Sequence, residues 1–177
     1  MRLLRRFNSL GLLGLLLTLL AIPTSAQQPA TQQAAVDHLQ PIRWMAGKTW
    51  TADAVSPSGK KSHVESVVSV SPNGNNIQFT VSFDGKPHYD GFYTWDPASK
   101  QIHFWYTSSE GELTQGTVEQ NGQELLHIFT IADTDGRVAS LRSHVVPVSA
   151  DAYEWNVETQ RDGKWVELIH LHYTRKA

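Results

Sequence analysis

Two pairs of residues near the C-terminus carry side chains that could do chemistry. Arg142 and His144 stand two apart, and so do His170 and His172. In an extended chain that spacing puts both members of a pair on one face. Arg142 and His144 share theirs with Val138, Ser140 and Val146, apolar company that points them inward. A guanidinium there needs a carboxylate beside it or the head group of an anionic ligand. At the rim of a sheet it would instead reach water along its own stem. His170 and His172 share a face with Val166 and Leu168. Together they could ligate a metal, or His170 alone could be the axial ligand of a haem. The opposite face, Trp165, Glu167, Ile169, Leu171 and Tyr173, is also largely apolar, so periodicity leaves the inward side of this segment open.

Catalytic signatures are missing. The chain has no Gly-x-Ser-x-Gly elbow, no His-Glu-x-x-His and no phosphate loop, and no catalytic residue is assigned. Cysteine is absent, which removes disulfides, thiolate metal sites and cysteine nucleophiles together.

The elements that must hold these side chains read as short strands. Residues 76–83 alternate Ile77, Phe79, Val81 and Phe83 against Gln78, Thr80 and Ser82. Residues 61–70 set Val64, Ser66, Val68 and Val70 against a polar face, and residues 152–160 set Tyr153, Trp155 and Val157 against Glu154, Asn156 and Glu158. Period-2 alternation of this kind marks half-buried strands. Asn73-Gly74, Asp84-Gly85, Asn121-Gly122, Asp135-Gly136 and Asp162-Gly163 supply tight turns between them. Counted along the chain, roughly ten strands recur at about 8–14-residue spacing, with the eighth predicted to break at Pro147. The fold class is therefore all-β, an antiparallel up-and-down barrel of about ten strands, because closure removes the exposed edges of such a meander. A two-sheet sandwich is the alternative; the uniformly short connections favour the barrel.

The first 26 residues have the layout of a cleaved secretory leader. Arg2, Arg5 and Arg6 precede an apolar run from Leu10 to Ile22, and small residues lead up to Ala26. A run of about 13 apolar residues is short of the roughly 20 that span a bilayer, so no stable membrane anchor is expected. Residues 27–37, rich in Gln and Ala, read as a flexible linker, and residues 38–177 as one domain. The protein is expected to be secreted or periplasmic. Losing three arginines with the leader takes the 15 basic residues to 12 against 17 acidic ones, a formal charge of −5. The basic residues are scattered, so nucleic acid is not an expected partner.

A barrel of about ten strands is wide enough to hold a ligand. Residues 88–96 and 101–107 carry aromatics on both faces: Tyr93 and Trp95 against Phe92, and Phe104 against Trp105. One aromatic face belongs to the core. The other would pack on a loop, a partner subunit in a homodimer, or a ligand. The expected partner is a small apolar or amphipathic molecule, with Trp50, Tyr93, Trp95, Phe104, Trp105, Arg142, His144 and Trp155 lining its site. No cofactor is assigned, with haem on His170 as the alternative.

Trp44-Met45-Ala46-Gly47 leading to Trp50 resembles the opening motif of lipocalin-like (calycin) barrels. Gly91-Phe92-Tyr93-Thr94-Trp95-Asp96-Pro97, then Lys100, Gly116-Thr117 and the closing Tyr173-Thr174-Arg175-Lys176, are similar to an uncharacterised family of bacterial secreted lipocalin-like proteins. That resemblance implies the barrel and no particular activity. Pro41, Trp44, Gly47 and Trp50 also resemble the opening of the nitrobindins, ten-stranded barrels that bind haem. By that likeness His170, in His-Leu-His-Tyr-Thr, would stand where the proximal histidine stands.

Overall fold

Alternation of apolar and polar residues builds a closed wall. In the computed structural model, which describes residues 36–55 and 59–177, a single turn of helix precedes ten strands. These are α1 (Gln40–Arg43), β1 (Lys48–Val55), β2 (Lys61–Val70), β3 (Asn76–Phe83), β4 (Lys86–Asp96) and β5 (Gln101–Ser108). They continue as β6 (Leu113–Asn121), β7 (Glu124–Ala132), β8 (Val138–Ser149), β9 (Ala152–Arg161) and β10 (Lys164–Arg175). Each strand pairs antiparallel with the next, and β10 returns to β1 to close the barrel. The all-β up-and-down barrel of ten strands expected from the sequence is the fold. The leader, residues 1–26, and most of the linker lie outside the described residues. Asp37 packs beside α1: its carboxylate accepts the Leu39 amide at 3.1 Å and pairs with Arg43.

Asp84-Gly85 and Asp162-Gly163 turn the chain with φ positive at both residues, 51° and 77° in the first and 50° and 74° in the second. That left-handed pair matches the twist of the flanking strands in a two-residue hairpin. Pro147 does not end β8. The strand runs on to Ser149, and the register against β9 shifts between Pro147 and Ser149, which absorbs the missing amide.

The inner face is read from burial. Trp50 and Ala52 of β1, Val64 and Val68 of β2, Ile102 and Phe104 of β5, and Leu141 and Val145 of β8 are all buried. One end of the barrel is closed by α1 and its flanks, where Leu39, Ile42 and Met45 join the same core. Pro41 sits in the first turn of α1, where its missing amide costs nothing. Among the described residues no helix covers the other end, and none is long and apolar enough to cross a membrane.

Two inner-face glycines share one arrangement. Gly91 lies between Phe79 and Tyr106 on its neighbouring strands, and Gly116 between Phe104 and Phe129. In each case the flanking rings meet across the glycine, at 5.9 Å and 5.8 Å between centroids. Aromatics covering a strand glycine restore the packing that it lacks. A Cβ at Gly116 would stand 2.2 Å from the Ile128 carbonyl oxygen and 2.5 Å from Phe129 Cβ. Neither can yield without moving backbone. Gly116→Ala is therefore expected to cost roughly 1–3 kcal/mol, the usual price of overpacking. Urea unfolding followed by circular dichroism measures it; an unchanged midpoint would mean that the β6–β7 pair yields without cost.

Candidate functional site: the aromatic lumen

The barrel interior joins aliphatic side chains, such as Val64, Ile77, Leu125 and Leu171, to a set of aromatic rings and hydroxyls. At the closed end Trp44, Trp50 and Tyr153 meet edge to face in a triangle, with centroids 5.0–5.8 Å apart. Tyr173 stacks on Tyr153 at 4.8 Å and 14°. Across the lumen Phe79, Tyr93 and Phe104 form a second run, with Phe79–Tyr93 at 5.3 Å and Tyr93–Phe104 at 5.6 Å. His127 packs against Phe104 at 5.2 Å.

All five tyrosines of the chain stand on this inner face: Tyr89, Tyr93, Tyr106, Tyr153 and Tyr173. Burial pushes every one of their phenols upward, Tyr106 to about 12. A further contribution comes from the phenols themselves: Tyr173 acts on Tyr93 and Tyr153, and Tyr89 on Tyr173. The five hydroxyls therefore converge and stay protonated at neutral pH.

His127 is the inner-face imidazole. It is buried, and its Nε2 lies 3.2 Å from the Tyr93 hydroxyl. Its Nδ1 is sealed from solvent with no hydrogen-bond partner. Burial pushes its pKa down to about 4, the His144 charge adds to that, and the Leu125 carbonyl opposes it without reaching good hydrogen-bond geometry. At neutral pH the ring is uncharged. Along the central paired stretches of the strands, no Asp, Glu, Lys or Arg among the described residues faces inward; Glu110 and Glu112 stand at the end away from α1, near Tyr89, and Lys48 and Arg175 at the α1 end, with Lys48 over the Trp50 ring at 5.0 Å.

Five of the eight predicted lining residues, Trp50, Tyr93, Trp95, Phe104 and Trp155, lie on the inner face, as members of the core or packed against it. Trp95 stands at the plug, stacked on His38 at 4.2 Å. The other three are outside. Trp105 faces outward with Phe92 (5.5 Å) and His103 (5.6 Å). Arg142 and His144, expected to point inward, are on the outer wall, because Leu141, Ser143 and Val145 take the inner positions of β8. The carboxylate that a packed guanidinium needs is there: Arg142 donates to Glu158 and covers the Trp165 ring at 4.6 Å. Arg142 also holds the Glu158 carboxyl below the usual range. His144 pairs with Glu124.

His170 is half exposed on the same outer wall. Its Nε2 lies 3.0 Å from Glu154, which also takes His172 Nδ1 at 2.6 Å; these two histidines, His172 foremost, lower the Glu154 carboxyl. An imidazole so placed does not fit a haem held inside the barrel. The described residues also contain no group of three His, Asp or Glu arranged to hold a metal. His127, Tyr89, Tyr106, Tyr153 and Tyr173 were not among the predicted lining residues. For Tyr153 the signal was available, since it shares the period-2 face of Trp155 and Val157.

Two open grooves lie on the outer surface. One, about 450 Å³, runs over the outer faces of β2, β3 and β4 beside Phe92; the other, about 700 Å³, lies between α1 and the turns at Gly122 and Pro147–Ser149.

No protein-family model and no curated protein matches the chain. Among solved structures it is similar to the crystal structure of Rv2717c from M. tuberculosis, with a TM-score of 0.54 and 13% identity. The match covers 80% of this chain and 99% of that one. At that identity the two share a fold, and what they share is the barrel.

Proposed function

We propose that the protein binds one small apolar or amphipathic molecule inside its barrel, after secretion or export to the periplasm. The supporting observation is the state of the mid-strand rings. Tyr93, Tyr106 and Trp155 point inward from the middle of a closed wall, yet each is only half buried. Accessible surface at that depth means unfilled space beside the rings. Apolar walls with a few placed polar groups are what a small-molecule site requires.

A neutral fluorescent probe, 1-aminoanthracene, tests this reading. Saturable uptake of one molecule per chain is expected. Val81→Trp, which fills the lumen from β3, should weaken uptake at least tenfold, whereas Thr80→Trp, one residue along and outside, should leave it unchanged. No saturable uptake, or equal uptake in all three proteins, would overturn the reading.

A further inference from the structure

We propose that the lumen selects an uncharged ligand bearing a hydrogen-bond-accepting carbonyl oxygen, an aromatic ketone or quinone, held by the free hydroxyls of Tyr153 and Tyr173. The inference rests on the reading of the lumen as a binding site.

Tyr153 and Tyr173 are 6% and 5% exposed, yet neither phenol has a hydrogen-bond partner among the described residues. Neither hydroxyl is sealed in, because the sealed and unpartnered side-chain atoms are His127 Nδ1 and Asn156 Oδ1. Each hydroxyl therefore keeps accessible surface on the inner face. The two residues face each other directly across β9 and β10, and their rings stack at 4.8 Å. Their hydroxyls thus project side by side into the lumen. Tyr93, close enough to affect the Tyr153 phenol, already spends its own hydroxyl on His127.

A buried donor without an acceptor is costly, and a ligand that supplies the acceptor recovers that cost. A carbonyl oxygen has two lone pairs and can take both phenols at once. The aromatic walls favour a flat, apolar remainder. A carboxylate would also accept both bonds, but the cations at this end are already engaged, Arg175 with Asp151 and Lys48 with the Ala150 carbonyl, so its desolvation is poorly compensated. The upward shift of both phenols shows the same surroundings resisting negative charge.

Isothermal titration with three probes of one skeleton tests the inference: fluorenone, fluorene and fluorene-9-carboxylate. The absence of cysteine removes thiol addition as a complication. Fluorenone is expected to bind at least tenfold more tightly than the other two. The double variant Tyr153→Phe/Tyr173→Phe should weaken fluorenone by roughly tenfold or more, each lost hydroxyl contributing a few-fold. It should leave fluorene unchanged, which shows that the lumen remains intact. If the double variant fails to fold, each single variant carries the same comparison. Fluorene binding as tightly as fluorenone, the carboxylate binding tightest, or fluorenone indifferent to both substitutions would each overturn the inference while lumen binding stands. Binding of none of the three, with no uptake of 1-aminoanthracene, would overturn both.

Discussion

Trp50→Ala is expected to destabilise the barrel by about 3–5 kcal/mol, the range for deleting a fully buried tryptophan. Trp50 has no exposed surface, and its ring meets both Trp44 and Tyr153 edge to face. Its indole N–H donates to the Met45 carbonyl at 3.0 Å, tying β1 to the chain that leaves α1. It also stands at the closure. The β1–β10 register comprises Trp50↔Arg175 and Thr51↔Thr174, against eight pairs between β1 and β2. The substitution therefore strikes the plug and the shortest seam together. Trp50→Phe keeps most of the apolar area but strands the Met45 carbonyl, so about half that loss or less is expected. Urea midpoints by far-ultraviolet circular dichroism, with near-ultraviolet signal for the plug, measure both. A loss under about 1 kcal/mol for Trp50→Ala would show that the site collapses around the missing ring and that the plug does not depend on it.

Strands with one polar face were legible from sequence alone. In β3, Ile77, Phe79 and Val81 fall inward and Gln78 and Thr80 outward, and no competing pattern exists. β8 was harder because both faces carry apolar residues. Val138 and Val146 stand with Arg142 outside, while the small Ser143 is buried inside. Counting apolar neighbours could not reveal that Glu158, from the next strand, would hold Arg142 on the outer wall. In β10 the period itself changes. A register shift between Glu167 and Ile169 puts Glu167 opposite Glu158 on the outside and Ile169 opposite Val157 on the inside. Glu167 and Ile169 thus share a face by counting and oppose each other in the fold. A bulge of this kind is set by cross-strand pairing and leaves no mark in one strand's alternation.

The candidate site was legible as a class of surface rather than as a set of groups. Aromatic density on β4 and β5 located the lumen, but the same signal placed Trp105 inside although it lies outside with Phe92. Arginine and histidine drew attention because they are charged, yet the lumen is built from groups that stay neutral. Its polar content is phenols, the hydroxyls of Ser66, Thr114 and Ser143, and one desolvated imidazole, which an inventory of ionisable motifs passes over. Neutrality follows from burial, and burial is a property of the closed wall.

That imidazole makes stability depend on pH. His127 titrates near 4 in the folded protein, against 6.5 when the environment is unperturbed. Between those values the unfolded chain binds a proton that the folded chain refuses, so stability rises with pH across the window. The contribution is fully present above about pH 6.5 and is lost as pH falls towards 4, a total of about 3 kcal/mol from the shift. The outer carboxylates Glu154 and Glu158, held low by His172 and Arg142, lose their contributions from about 4.5 downward, a separate and lower window. Urea midpoints from pH 7.5 to 4.5 should therefore fall in the wild type. In His127→Phe, whose ring fills the same space among Tyr93, Phe104 and the Leu125 backbone, the curve should be flatter over that range. Nitrogen-15 shifts of the His127 ring should report a neutral imidazole at pH 5.5. Equal pH slopes in wild type and His127→Phe, or a protonated ring at pH 5.5, would show that the interior admits a charge. The same finding would remove the electrostatic ground on which the lumen is expected to reject anions.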